Sequence, residues 1–154
     1  MEIETGGPDG PVVSLSATFA APVSRVWAAW TDPEQIARWF FASDGYSTNN
    51  VTSDLAELGR FTIDVRPPEG DVTEIRGFHI EVSPPDRLIS TWRGTMSDEQ
   101  YWTLVDVRIE PLDGGARLSL VHGMFECDSD RALHEQAWLS SLQSLGNYLE
   151  TSSR

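Results

Sequence analysis

The chain has 154 residues, 40% hydrophobic and 23% charged, a balance that suits one globular domain with a single core and argues against disorder beyond the ends. Asp and Glu number 24 against 11 Lys and Arg, and the resulting formal charge of −13 has the wrong sign for coating nucleic-acid phosphates or docking on an anionic leaflet. One cysteine, Cys127, excludes an internal disulfide, and no stretch approaches the ~18 apolar residues of a membrane span.

The opening, MEIETGGPDGP, reads as a flexible leader over residues 1–11. It lacks the basic start and apolar core of a signal peptide, so a cytoplasmic location is expected. Residues 12–151 read as one domain. VVSLSATFAAP alternates, with Val13, Leu15, Ala17 and Phe19 on one side, and predicts a half-buried strand stopped by Pro22. Pro22 suits a first helical position. Val23, Val26, Trp27 and Trp30 then recur at helical spacing until Thr31-Asp32 interrupts them. Asp32 has the chemistry of a helix cap and Pro33 that of a first helical residue. TDPEQIARWF therefore predicts a second short helix, with Ile36, Trp39 and Phe40 on one face.

From about residue 46 to 122 the period changes to two. Phe61, Ile63 and Val65 share one parity in RFTIDV, and Phe78, Ile80 and Val82 in GFHIEV. DRLISTW presents Leu88, Ser90 and Trp92; YWTLVDVRI presents Tyr101, Thr103, Val105, Val107 and Ile109; ARLSLVH presents Leu118, Leu120 and His122. Leu58-Gly59, Pro67-Pro68-Glu69-Gly70, Pro84-Pro85-Asp86 and Asp113-Gly114-Gly115 punctuate the runs. Residues 130–151 carry Trp138, Leu142, Leu145 and Leu149 at i, i+4, i+7, i+11, a long amphipathic helix. The expected fold is α+β: a curved antiparallel sheet of six to seven strands around a long C-terminal helix, with two short helices after the first strand.

The face so presented to the helix is apolar and aromatic, with Ser90, Tyr101, Thr103, His122 and the helix residue Ser141 as its polar groups. Asp64, Arg66, Glu81, Asp106, Arg108, Glu110 and Arg117 have the opposite parity. No inward carboxylate pair is left for general acid/base or glycosidase work, whereas an apolar cavity with a few polar groups is what small-molecule pockets look like. The candidate ligand-binding residues are Trp39, Phe40, Phe61, Phe78, Ser90 and Trp92, followed by Tyr101, Thr103, His122, Trp138, Ser141 and Leu142. His122 is also the one candidate catalytic residue, as a base or ligand-orienting group; the plainer reading is an imidazole bonded to backbone or to Tyr101.

His79 has outward parity and is read as solvated, and His134 as packing or facing solvent. The histidines and Cys127 lack metal-ligand spacing, and Cys127 lies among acids that raise a thiol pKa, so neither a metal nor a nucleophilic cysteine is expected. No glycine-rich phosphate loop, serine elbow or dinucleotide fingerprint occurs, so no cofactor is expected. Trp102 and Leu104 face outward, as a trivial patch or part of a homodimer surface.

WAAWTDPEQIARWF, DLAELGRF, GFHIEVSPPDRLISTWRG, VDVRIEPLDGGARLSLVHGMF and HEQAWLSSLQSLGNYLE, in this order over about residues 12 to 150, resemble the activator of heat-shock protein 90 ATPase homologue family, C-terminal-domain type. That family belongs to the SRPBCC superfamily, also called START or Bet v-like. The resemblance implies the helix-grip fold, in which a curved antiparallel sheet grips the C-terminal helix, two short helices close one end and a hydrophobic cavity lies between. Two positions depart from the family pattern: the Gly-Pro often seen after the Trp-Phe pair is Phe41-Ala42, and the first glycine of the usual double-glycine turn is Leu58.

The residues and the resemblance together favour a binding protein for a small hydrophobic or amphipathic molecule, a lipid included. Its partners would then include no nucleic acid and no membrane. The alternatives are a cyclase- or hydrolase-like enzyme using His122, and an interaction module that regulates a chaperone ATPase through its acidic surface. The chaperone partner finds no support in the residues beyond the family's name.

Overall fold

Alternating hydrophobicity and regularly spaced turns become an eight-stranded antiparallel sheet in the computed structural model, which describes residues 2–5, 12–41, 45–94 and 101–151. The strands are β1 (Glu2–Thr5), β2 (Val13–Phe19), β3 (Ser47–Ser53), β4 (Arg60–Arg66), β5 (Thr73–Ser83), β6 (Arg87–Gly94), β7 (Thr103–Leu112) and β8 (Gly115–Gly123). β3 to β8 form a meander in which each strand pairs with the next. The last, β8, then pairs with β2 in the register Val13↔His122 to Phe19↔Ala116, and β1 adds to the far side of β2. Early and late parts of the chain therefore share one sheet, and its inner face runs without a break from Val13 to the central strands.

Three helices serve that face. α1 (Val23–Thr31) begins after Pro22, which stands at the cap rather than in the first turn, and α2 (Pro33–Trp39) follows after a single residue. That residue, Asp32, both ends α1, its N–H donating to the Ala28 carbonyl at 2.9 Å, and caps α2, its carboxylate accepting from the Glu34 N–H at 3.2 Å. The sharp turn between the helices thus has a local cause, and Pro33 fixes the entry angle of α2. α3 (Asp128–Thr151) turns Trp138, Ser141, Leu142, Leu145 and Leu149 toward the core.

Three features differ from the sequence reading. The sheet has eight strands rather than six or seven, and the short helices follow the second strand, because Glu2–Thr5 of the expected leader pair with β2, with Ile3 packed partly against the core. Residue 1 and residues 6–11 of that leader lie outside the described residues. On β5 the inward residues are Ile75, Gly77 and His79, while Phe78 is half-buried on the outer face and Ile80 is exposed. The cause is a β-bulge: His79 pairs with Ser90 but Glu81 with Ile89, so Ile80 is an extra residue that reverses the parity between the two halves of the strand. Val82, beyond the bulge, is again on the core side, packed against the cluster. His79, read as solvated, is therefore buried, and of the two readings given for His134 on α3 the packed one holds.

Candidate ligand-binding cavities

Aromatic side chains from four elements meet over the inner face. The Phe40 ring, just past α2, stands edge-on to Trp92 of β6 at 6.1 Å and to Trp138 of α3 at 5.7 Å, and the two tryptophan rings are 5.3 Å apart. Trp30 of α1 stacks on Trp138 at 5.7 Å and lies 5.1 Å from Trp39. Trp39 itself fills core space, its Nε1–H donating to the Ala29 carbonyl at 2.8 Å and so locking α2 onto α1. Phe40, by contrast, borders open space.

Two cavities lie on either side of this cluster, and Trp92 and Trp138 line both. The first, about 60 Å³, sits under α1 and α2, with Trp30, Ile36, Phe61, Ile63 and Val107 among its apolar walls. Exposed Thr52 and Leu55 at the β3 edge also belong to its lining, which puts its mouth there. The second, about 220 Å³, is bordered by Phe40, Phe41, Tyr46, Ile75 and, from α3, His134 and Ala137. Trp92 and Trp138 form the wall between them.

The first cavity has one polar corner. His79 Nδ1 lies 2.8 Å from Ser90 Oγ, and its Nε2 lies 2.9 Å from Ser53 Oγ. Its ring stacks on Phe61 at 5.4 Å, and its backbone is held from both sides by the β3–β4 connection, with Leu58 N–H donating to the His79 carbonyl and His79 N–H to the Gly59 carbonyl. Burial pushes the His79 pKa below its ordinary value, with the negative charge of Asp54 partly opposing, so the imidazole is neutral at pH 7. Ser53 and His79 were not among the sequence candidates. The usable signal was Glu74 and Arg76: charged residues two apart, they share a parity with Phe78 and Ile80 and place Ile75, Gly77 and His79 on the core side.

The remaining candidates divide by where they point. Phe61 and Ser90 line the first cavity, Phe40 the second, and Trp92 and Trp138 both. Phe78 faces outward, its ring 6.4 Å from the exposed Trp102, and so is corrected from an inner to an outer position. Tyr101 donates its hydroxyl to the Asp130 carboxylate at 2.5 Å and accepts from the Glu126 N–H, tying the strand to the start of α3 rather than reaching a cavity. Ser141 is buried where α3 meets the residues after α2, accepting from the Phe41 N–H at 3.4 Å, and Leu142 is fully packed.

His122 is wholly buried and both its nitrogens are committed. Trp138 Nε1–H donates to Nδ1 at 3.0 Å, which places the ring proton on Nε2, facing Thr103 Oγ1 at 2.7 Å; Thr103 in turn donates to the Trp92 carbonyl at 2.9 Å. The chain Trp138, His122, Thr103, Trp92 pins α3 to β8, β7 and β6. Its partners are Thr103 and Trp138 rather than Tyr101 or backbone. Burial, with His134 adding like-charge repulsion, holds the His122 pKa well below the ordinary value. Such an imidazole lacks the free lone pair and the open space that a general base needs.

Among the described residues no group of three or more His, Cys, Asp or Glu is placed to hold a metal ion, Cys127 is an exposed free thiol, and no helix is long and apolar enough to cross a membrane.

The family model described as "Activator of Hsp90 ATPase homolog 1-like protein" matches residues 20–150. The chain belongs to this family. Among solved structures, the AHSA1 protein of Silicibacter pomeroyi is 26% identical with a TM-score of 0.79, the match covering 91% of this chain and 98% of that one. A Nitrosomonas europaea protein is 25% identical with a TM-score of 0.79 over 95% of this chain and 99% of that one. A Rhodobacter sphaeroides protein, 24% identical, has a TM-score of 0.82 over 98% and 99%. No curated protein matches the chain. The AHSA1-like assignment accounts for the helix-grip architecture, and of the departures from the family pattern Phe41 and Leu58 can be placed on it, while Ala42 lies outside the described residues. Phe41 has φ +51° and Leu58 φ +65°, so both stand where the backbone enters the left-handed region that favours glycine.

Proposed function

We propose that the protein binds a small hydrophobic or amphipathic molecule in the space between the sheet and α3. The observation that carries this reading is the pair of largely apolar cavities that share the Trp92 and Trp138 rings as a common wall beside the packed core. Small-molecule sites commonly measure ~300–1,000 Å³. Neither cavity reaches that alone, but joined by a rotation of the dividing rings they come close to its lower end. Affinity would come from removing apolar surface from water, at ~25 cal/mol per Å². A role for His122 in catalysis has no geometric support, since its nitrogens are spent on Thr103 and Trp138. Regulation of a chaperone ATPase rests on the family's description and the acidic charge alone.

A bound molecule would touch Trp92 and Trp138, so their emission reports it. Titrating a panel of hydrophobic metabolites, followed by tryptophan fluorescence and native mass spectrometry, is expected to yield saturable 1:1 complexes. Ala137→Phe, which fills the second cavity from α3, is expected to abolish them with the fold intact. Absence of any saturable complex across the panel, or an Ala137→Phe protein that binds as before, would count decisively against this site.

A further inference from the structure

We infer that Ser53, His79 and Ser90 form the head-group site of the first cavity and that they take an uncharged oxygen function, an alcohol or a ketone, at the end of an apolar body. This assignment rests on the binding reading above and goes further, because it names the chemistry of one end of the ligand and the residues that read it.

The hydrogen-bond inventory leads there. A neutral imidazole has one N–H and one lone pair. With a serine hydroxyl on each nitrogen, one serine accepts from the ring and keeps its own proton to give, while the other donates to the ring and keeps only lone pairs. Ser53 and Ser90 each have that single partner, so each retains one unused hydrogen-bonding function, and both line the cavity. Moving the ring proton between Nδ1 and Nε2 exchanges the two roles. Ser90, the deeper of the pair, can therefore meet either an acceptor or a donor without any movement of heavy atoms.

Apolar residues of similar shape in such a place are nearly neutral or stabilising, whereas polar groups in an apolar pocket orient what enters. The rest of the lining selects against ions. It contains no Asp, Glu, Lys or Arg, and burial keeps the imidazole uncharged. A carboxylate would enter a mostly apolar space without a cation, close to Asp54, and an ammonium would find no carboxylate on the wall. Alcohols and ketones satisfy the spare functions at no such cost. At about 60 Å³ the cavity houses the head alone, so the body of the ligand must pass Trp92 toward the second cavity.

The test uses four probes of one ring size, cyclohexanol, cyclohexanone, methylcyclohexane and cyclohexanecarboxylate, titrated into the full chain with NMR detection of backbone amides and of the His79 ring nitrogens. Cyclohexanol and cyclohexanone are expected to bind about tenfold more tightly than methylcyclohexane, the advantage of one buried hydrogen bond, and the carboxylate not to bind. Cyclohexanone, which only accepts, must draw the proton of Ser90 and so hold the ring proton on Nδ1, visible in the two ¹⁵N shifts. Ser90→Ala is expected to remove the preference, so that cyclohexanol and methylcyclohexane bind with similar affinity; should that variant not fold, the wild-type ring shifts decide. Equal affinity for methylcyclohexane and cyclohexanol, or ring shifts that put the proton on Nε2 with cyclohexanone bound, overturns the head-group assignment and leaves cavity binding standing. Failure of all four probes, together with the metabolite panel, overturns both.

Discussion

Leu58 and Phe41 adopt the same unusual backbone conformation for different returns. A side chain at φ near +60° crowds its own carbonyl and costs ~1–2 kcal/mol, and glycine escapes that cost. Leu58 is 72% exposed, and its one visible contribution, the N–H bond to the His79 carbonyl, belongs to the backbone. Phe41 instead packs its ring at 5.5 Å from both Phe40 and Tyr46 and helps line the second cavity. Leu58→Gly is therefore expected to stabilise the protein. After allowing for the greater freedom glycine gives the unfolded chain, the gain is about 0.5–1 kcal/mol, or roughly 1–4 °C in Tm for a chain of this size. Phe41→Gly relieves the same strain but loses the ring, so no gain in Tm is expected. Scanning calorimetry of the two variants separates the cases; a lower Tm for Leu58→Gly would mean that the exposed leucine does more than its contacts show.

At the scale of elements, legibility in the sequence followed regularity. β2, β4, β6, β7 and β8 keep strict alternation between clear turn signals, and every inward position expected on them, Val13 through His122, is buried or half-buried as Tyr101 is. β5 defeats that logic because its bulge at Ile80 answers a demand of the whole sheet, which must bend to close around α3, and no local pattern announces it. Parity also states which face a residue takes without saying whether it meets a void. Thr103 and His122 are inward, yet they meet packed neighbours, while Ser90 on the same face meets the cavity. Orientation on β5 can be measured. A Cβ on Gly77 would lie 2.1 Å from the Thr91 carbonyl oxygen and 2.5 Å from Phe61 Cε1, and the first of these is backbone that cannot swing away. Gly77→Ala is expected to cost about 3 kcal/mol in urea-denaturation free energy. Ile80→Thr, at an exposed position three residues on, should stay within about 0.5 kcal/mol. Equal costs would contradict the bulged register.

Across the whole molecule, the two histidines of the inner face make stability depend on pH in one direction. His79 and His122 both have pKa values depressed by burial, His122 further by the neighbouring His134, so the folded protein resists protonating them while the unfolded chain takes up protons near pH 6.5. Between the folded-state pKa of each ring and about 6.5 the unfolded state binds more protons, so folding stability rises with pH there. The contribution is complete above about pH 6.5 and is lost as pH falls toward the folded-state values, at up to ~1.4 kcal/mol per pH unit for each ring. His79 should contribute less than that limit, because its cavity opens to solvent beside Thr52 and Leu55 and solvent screens the charge. Urea denaturation at about pH 7.5 and about pH 5.5 is expected to show a clear loss at the lower value, in a range where ordinary Asp and Glu remain ionised. His79→Gln keeps a polar group between the two serines and removes the titration, so it should flatten part of that slope, the larger share remaining with His122. A slope identical to wild type in His79→Gln would place His79 in water rather than in the cavity, and the head-group site would lose its central residue.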